Sequence, residues 1–389
     1  MKYKIFIIII VLLFGLITPL LWLNDMRNYL ASLFFVNDLT SADVRAHYQQ
    51  GSVSILIVPG HDNKNYGTWY KGMKEVDLVA EIGENLYEYL ARDGRFNVTL
   101  VRNRNGYTQE FSDYFTKQKN NIAFFIRSVW TYFNELTRTQ QITISPQKVH
   151  HNRVNRKTQI ALYGINKWAN EHNIDIVLHL HLNDYSGRRS WERKYDGFSI
   201  YIPSKELPNH EVSQELARHL RKVFSRYWAA SNLPVEKSAI IESPLLIATG
   251  AAGSLRSAGV LMEYGYIYES RFHTDLMLKE AAFRTYQGLL AFFMDGEKIA
   301  DDFSWVFPYE WERNISFESR LKEDIAAAQA ALFELGFYPP PDMTRRQCPI
   351  NGNFRTCTKK ALANFQKQMG IAGNGEFGPK TRAALNKLF

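Results

Sequence analysis

Residues 175–184, DIVLHLHLND, constrain the fold more tightly than any other stretch. His179, His181 and Asn183 recur at every second position, so in a β-strand they share one face. Ile176, Leu178, Leu180 and Leu182 make the opposite face wholly apolar. A strand with one apolar face and one imidazole-bearing face is a buried strand bordering a polar site. A lone histidine here would more simply be a core imidazole bonded to backbone. Two of them at i and i+2, followed by an asparagine, leave both readings open.

The flanking sequence supplies the rest of a sheet. VSILIVPGH (53–61) reads as a buried strand ending in a Pro-Gly turn. Between 74 and 94, Val76, Val79, Ile82, Leu86, Tyr89 and Leu90 form a helical stripe closed by Gly94. FNVTLV (96–101), GFSIYI (197–202) and GVLMEYGYI (259–267) read as further strands, and 155–172, 210–229 and 272–293 as helices. This alternation predicts an α/β domain over 51–297, a mostly parallel sheet flanked by helices. Residues 107–150 break the rhythm with an aromatic, amphipathic insert, in which Phe124, Phe125, Val129, Trp130 and Phe133 form a stripe. A stripe of this kind packs on the α/β domain, where it could act as a restraint, on a partner protein such as an activator, or simply beside the sheet.

Residues 298–320 read as a linker with aromatic anchors, and 321–389 as a separate compact unit. That unit contains two similar passages, NGNFRTCTKKALANFQ (351–366) and NGEFGPKTRAALNKL (374–388). Each runs Asn-Gly-x-Phe, then a Thr, then a short amphipathic helix, which is an internal repeat. The only two cysteines, Cys348 and Cys357, lie in this unit with no flanking metal ligands, which favours a local disulfide in an exported chain.

At the N-terminus, the run from Ile5 to Leu23 carries no charge and is long enough for a helix to cross a bilayer core of ~30 Å. Lys2 and Lys4 precede it, so the remainder faces outward. No small-x-small cleavage site follows, and an uncleaved signal-anchor is favoured over a cleaved signal peptide, with 24–50 as a stalk. The net charge of +8 suits an anionic surrounding. With no block of Lys and Arg, nucleic acid is the weaker choice against phospholipid or wall polymer.

In a parallel sheet the C-terminal strand ends gather at one edge, where sites form. His61 follows the first strand, Glu75 opens the first helix, His181 and Asn183 end the central strand, and Glu263 lies near the end of a later one. Two imidazoles and a carboxylate with an open position suit a catalytic Zn²⁺, and a further carboxylate suits a general base and acid. Singly, each residue also has a structural role: a first-turn carboxylate, a turn histidine, a paired buried acid.

Together the passages VPGHDNKNYG, KEVDL, WANEHNIDIVLHLHLND and GVLMEYGYI resemble the zinc-dependent N-acetylmuramoyl-L-alanine amidases of the amidase-3 type. The resemblance spans roughly 53–293. It implies one Zn²⁺ held by His61, Glu75 and His181, catalysis by Glu263, and peptidoglycan as the substrate. Asn183 would shape the site. His179 replaces the family's Ser and is either a supporting imidazole or a rival ligand. Asp62-Asn63 replace the usual Gly-Gly, and Ile165 stands where an Arg is expected. The C-terminal unit resembles a three-helix peptidoglycan-binding domain. The expected protein is a membrane-anchored amidase of the periplasm or cell wall. The alternatives are a non-catalytic wall-binding or activator protein on the same fold, or a zinc hydrolase of another wall amide.

Overall fold

A computed structural model of the chain describes residues 39–140, 142–143, 155–244, 246–250, 253–294 and 306–389. The Ile5–Leu23 run lies outside these residues. Among the described residues no helix is long and apolar enough to cross a membrane.

Six strands form one sheet: β1 (Val53–Pro59), β2 (Phe96–Leu100), β3 (Ile176–Asn183), β4 (Ser199–Ile202), β5 (Ile240–Glu242) and β6 (Ala258–Tyr266). Their spatial order is β2-β1-β3-β6-β4-β5. The first four run parallel, β4 is antiparallel to β6, and β5 is parallel to β4. The sheet is therefore mixed, with one antiparallel junction. The expectation of a mostly parallel sheet holds for the half that carries the histidine strand. Central β1, β3 and β6 read as near-continuous apolar runs because both faces are covered.

Helix α1 (Ser41–Gln49) falls in the segment expected to be a stalk. It is instead a capped helix against the domain, because Thr40 and Asp43 close a reciprocal capping box and Val44 and Tyr48 are buried in the main core. Helix α2 (Glu75–Ala91) buries Val79, Ile82, Leu86 and Leu90, each contributing ~1.5–3 kcal/mol by removal from water. Together with α6 (His210–Tyr227) and α7 (Asp275–Phe293) it covers the apolar face that Leu178, Leu180 and Leu182 present. The other face takes α5 (Arg156–Glu171), whose N-cap Asn155 accepts from the backbone N–H groups of Lys157 and Thr158.

The aromatic insert forms two helices, α3 (Gln109–Lys117) and α4 (Lys119–Arg138). The buried stripe of α4 is Ile122, Phe125, Val129, Phe133 and Leu136, while Phe124 and Trp130 are only half-buried. The expected stripe was therefore centred slightly off. Ile122, Phe125, Val129 and Phe133 form a core with Ile160 and Tyr163 of α5 and with Ile247 and Leu255. The helix thus packs on α5 and on the segment around Ile247 and Leu255.

Helices α8 (Lys322–Glu334), α9 (Thr356–Gln368) and α10 (Pro379–Leu388) make the C-terminal unit. Its repeat has a physical cause. Gln329, buried in α8, accepts at Oε1 from the N–H groups of Asn351 and Gly352 and donates to Thr358 Oγ1. Gln366 of α9 repeats the device, accepting from Gly375 N–H and donating to Thr381 Oγ1. Gly352 and Gly375 adopt φ of +69° and +72°, the left-handed turn that favours glycine. Cys348 and Cys357 form a disulfide.

Candidate active site

Glu75 organises the site. It is the first residue of α2 and is 1% exposed, with its side chain turned back towards the strand ends. Its Oε1 accepts from Leu182 N–H at 3.0 Å, and its Oε2 from Thr68 N–H at 2.9 Å. His61 Nε2 is 3.1 Å and His181 Nδ1 3.0 Å from the same Oε1. The ligating atoms that His61, Glu75 and His181 can offer all lie within 4.8 Å of one another. The two imidazoles meet edge to face, with centroids 5.0 Å apart.

This convergence depends on local backbone. His61 follows β1 with φ of +66°, a left-handed residue at the strand's end. A Cβ on Gly60 would overlap the His181 ring, and one on Gly67, at φ of +73°, would overlap Glu75 and His61. The loop can come this close only because both positions are glycine. The role of Gly67 was not foreseen, and its one sequence signal was a glycine among polar turn residues.

Electrostatics follow burial and pairing. Burial opposes the charge on Glu75, but the neighbouring imidazoles outweigh it and hold the carboxyl far below the ordinary range. Burial lowers the His181 pKa, opposed by Glu75. Glu263 is paired in register with His181 on β6. Burial, with Glu75 and then Glu236, pushes its carboxyl well above the usual value. Its Oε2 has no hydrogen-bond partner.

Two imidazole nitrogens and one carboxylate are the donor set that zinc takes in sites that keep an open position. The three residues fit such an ion in donor chemistry and in spacing. His179 is not among the grouped donors. It lies on the same face two residues earlier, buried, with Nε2 unpartnered, and burial followed by the nearby His181 lowers its pKa to about 3.

Asn183 is held from behind by a residue that sequence gave no reason to choose. Glu236, 1% exposed, accepts from Asn183 Nδ2 at 2.8 Å, Tyr201 OH at 2.7 Å and Ser231 Oγ at 2.5 Å. It lies in a short 3₁₀ turn after a proline, where no periodicity marks it.

The donor residues, Glu263 and Asn183 face one cavity of about 540 Å³. His61, Glu75, His179, His181, Glu263, Asn183 and Tyr201 line it, and Leu162, Ile165 and Ile247 add apolar surface. Of the insert, Tyr107 is the lining residue among those described. The described part of α4 braces the wall through Ile247 and does not cover the histidines.

The fold and site define an α/β protein whose sheet edge gathers a mixed imidazole–carboxylate centre in a cleft, joined to a helical module of two like turns. Residues 55–128 match the N-acetylmuramoyl-L-alanine amidase family, amidase-3 type, and residues 322–385 the peptidoglycan binding domain family. The chain thus carries an amidase-3 domain followed by a peptidoglycan-binding domain. Among solved structures, it is similar to an N-acetylmuramoyl-L-alanine amidase from Clostridium difficile 630, with 16% identity over 64% of this chain and 100% of that one, at a TM-score of 0.40. The amidase Ami1 from Mycobacterium smegmatis gives 13% identity over 62% and 97%, at 0.42. The CwlD amidase from Clostridioides difficile, solved in complex with the GerS lipoprotein, gives 16% over 63% and 100%, at 0.40. No curated protein matches the chain.

Proposed function

We propose that the protein is a zinc-dependent N-acetylmuramoyl-L-alanine amidase that cleaves the amide between the lactyl group of N-acetylmuramic acid and the L-alanine of the stem peptide, in wall remodelling or cell separation. The observation that carries this reading is the convergence of His61, Glu75 and His181 beside Glu263, within a chain that has an amidase-3 domain. Residues 51–297 form the catalytic unit and 321–389 the wall-binding unit. Its place of action is the cell wall or periplasm.

His61, Glu75 and His181 would hold the ion, which when bound supplies a Lewis acid and brings the pKa of a water towards neutrality. The rest of the chemistry belongs to the chain. Leu182 and Thr68 fix both oxygens of Glu75, so its orientation is set before any ligand arrives. Glu263 takes a proton from the attacking water and delivers it to the departing amine nitrogen. Burial, with Glu75 and then Glu236, raises its pKa, so it holds an accepted proton more readily than a free carboxyl does. Asn183 and Tyr201, anchored on Glu236, present fixed polar groups to the substrate.

Mass spectrometry of muropeptides from purified sacculi tests this. The protein should release stem peptides with free L-alanine N-termini, and removal of metal by chelation should abolish the release. Products cut within the peptide, or no products from metal-loaded protein, would overturn the assignment.

A further inference from the structure

Two neighbouring segments beside the cleft carry exposed indoles. Trp69, 57% exposed, opens a small hairpin that ends at Lys74, between Thr68 and Glu75 of the site. Trp191, 72% exposed, lies in the 184–195 loop that follows β3. Arg188 ties the two together: it bonds Asp184 Oδ1 at 2.6 Å, donates to Trp69 O at 3.4 Å and lies 5.6 Å from the Tyr70 ring centroid. Arg193 adds a bond to Tyr70 OH. A hollow of about 550 Å³ runs along the loop and shares Asn183, Asp184 and Tyr201 with the catalytic cavity.

The segments 69–74 and 184–195 set Lys71, Lys74, Arg188, Arg189, Arg193 and Lys194 against Asp184 and Glu192. Arg188 is paired with Asp184. Lys71, Arg189, Arg193 and Lys194 are exposed and lie over the rings of Tyr70, Trp191, Tyr70 and Tyr195, at 5.6, 5.7, 5.4 and 5.1 Å. None of these four forms an ion pair among the described residues. Exposed cations without a carboxylate to neutralise them attract anions, and the flat indoles beside them offer faces on which the C–H side of a sugar can stack. The lip therefore fits a polymer that is both saccharide and anionic. A lipid surface also suits Trp with Lys and Arg. Thr68 and Asp184, at the edges of the same segments, line the cleft, so a bilayer laid here would block its mouth.

The reaction itself makes such a polymer. Water adds to the lactyl carbonyl, the C–N bond breaks and the amine leaves with a proton. At neutral pH the sugar keeps a lactyl carboxylate and the peptide a free ammonium. A glycan strand stripped in this way gains one negative charge at each cleaved muramic acid. We infer that the lip binds this peptide-free strand, with Trp69 and Trp191 stacking on its rings and Lys71, Arg189 and Lys194 pairing with its lactyl carboxylates. The stripped strand then stays beside the cleft while the next muramic acid enters it. The inference rests on the amidase reading and names the product that the same site retains.

The test is calorimetric titration of the full-length protein with a peptide-free tetrasaccharide of alternating N-acetylglucosamine and N-acetylmuramic acid, its lactyl carboxyls free. It has no lactyl amide, so binding is read without turnover, and any binding by the C-terminal unit is common to parent and variants. Trp69→Ala with Trp191→Ala should weaken binding about 10-fold, the scale of two lost stacking contacts. Lys71→Gln with Arg189→Gln and Lys194→Gln should weaken it about fivefold at low salt and remove most of its salt dependence. All five positions are exposed, so both variants should keep the parent's melting temperature. Chitotetraose, which has similar rings and no carboxylate, should bind the parent about fivefold more weakly and without salt dependence. Parent-like binding by both variants overturns the inference, as does equal binding of chitotetraose. Binding of anionic phospholipid vesicles through the lip, with none of the tetrasaccharide, also overturns it and makes the lip a membrane contact. Turnover of muropeptides separates the two readings. A protein that binds the tetrasaccharide through the lip and cleaves no muramoyl–alanine bond loses only the amidase assignment, whereas one that cleaves and does not bind loses only the strand site.

Discussion

Glu75 has both carboxylate oxygens tied to backbone N–H groups, so the two imidazoles that approach it meet a fixed target. This separates residues that hold an ion from residues that merely neighbour it. His181→Ala should lose zinc on dialysis, while His179→Leu should retain one zinc per chain by elemental analysis; equal loss from both would show that His179 ligates. Glu263→Gln should keep fold and zinc and lower hydrolysis by at least ~10²-fold, because the proton acceptor is gone. Near-normal turnover would remove Glu263 from the mechanism. Gly60→Ala should cut zinc retention, since its Cβ must displace the His181 ring. These residues were legible in different degrees. His61, Glu75, His181 and Glu263 could be placed because strand ends in a parallel sheet share an edge, and that edge exists here. Glu236 was not, because a buried acid in a 3₁₀ turn has no pattern until its four donors, including Tyr266 OH, are seen around it.

At the scale of elements, the insert shows what periodicity can and cannot tell. The apolar repeat in 120–136 marked a helix with a buried face, and α4 has one. What that face packs against was not written in its own residues. Phe125 meets the α5 core, in the cluster that also holds Ile247, a residue of the cavity wall. The described segment is thus a brace for the wall, and its removal should cost stability. Phe125→Ala should lower unfolding free energy by ~3–5 kcal/mol, the usual cost of a large aromatic cavity, read by urea denaturation with intact zinc content. A change below 1 kcal/mol would mean that α4 rests on the surface. The antiparallel β4 was likewise legible as a strand, but direction was not, since a four-residue strand reads the same from either end.

At the scale of the whole molecule, the boundary at the linker was drawn from composition, and the structure shows contact across it. Met277 and Phe283 of α7 share a core with Trp311, Ala330 and Phe354, so residues of the first unit are buried by the second. Tyr227 and Phe333 meet with centroids 5.2 Å apart. Arg345 donates to Ser225 O at 2.7 Å, Arg346 to Ala230 O at 2.5 Å, and Asn353 to Ser270 Oγ at 2.9 Å. Sequence could not reveal this, because the apolar residues of α7 look alike whether they face the sheet or a second module. Interfaces between domains of one chain are often small and polar, and then the units move independently. Here an apolar core crosses the boundary, so the two units should unfold together. Scanning calorimetry of the full chain should give one transition whose calorimetric and van't Hoff enthalpies agree. Phe283→Asp places a charge in that shared core, where burying it is costly. In that variant the C-terminal unit should separate and a second, lower transition should appear. Two transitions already present in the wild-type protein would show instead that the modules are tethered, and that the wall-binding unit does not hold the catalytic cleft in a fixed orientation.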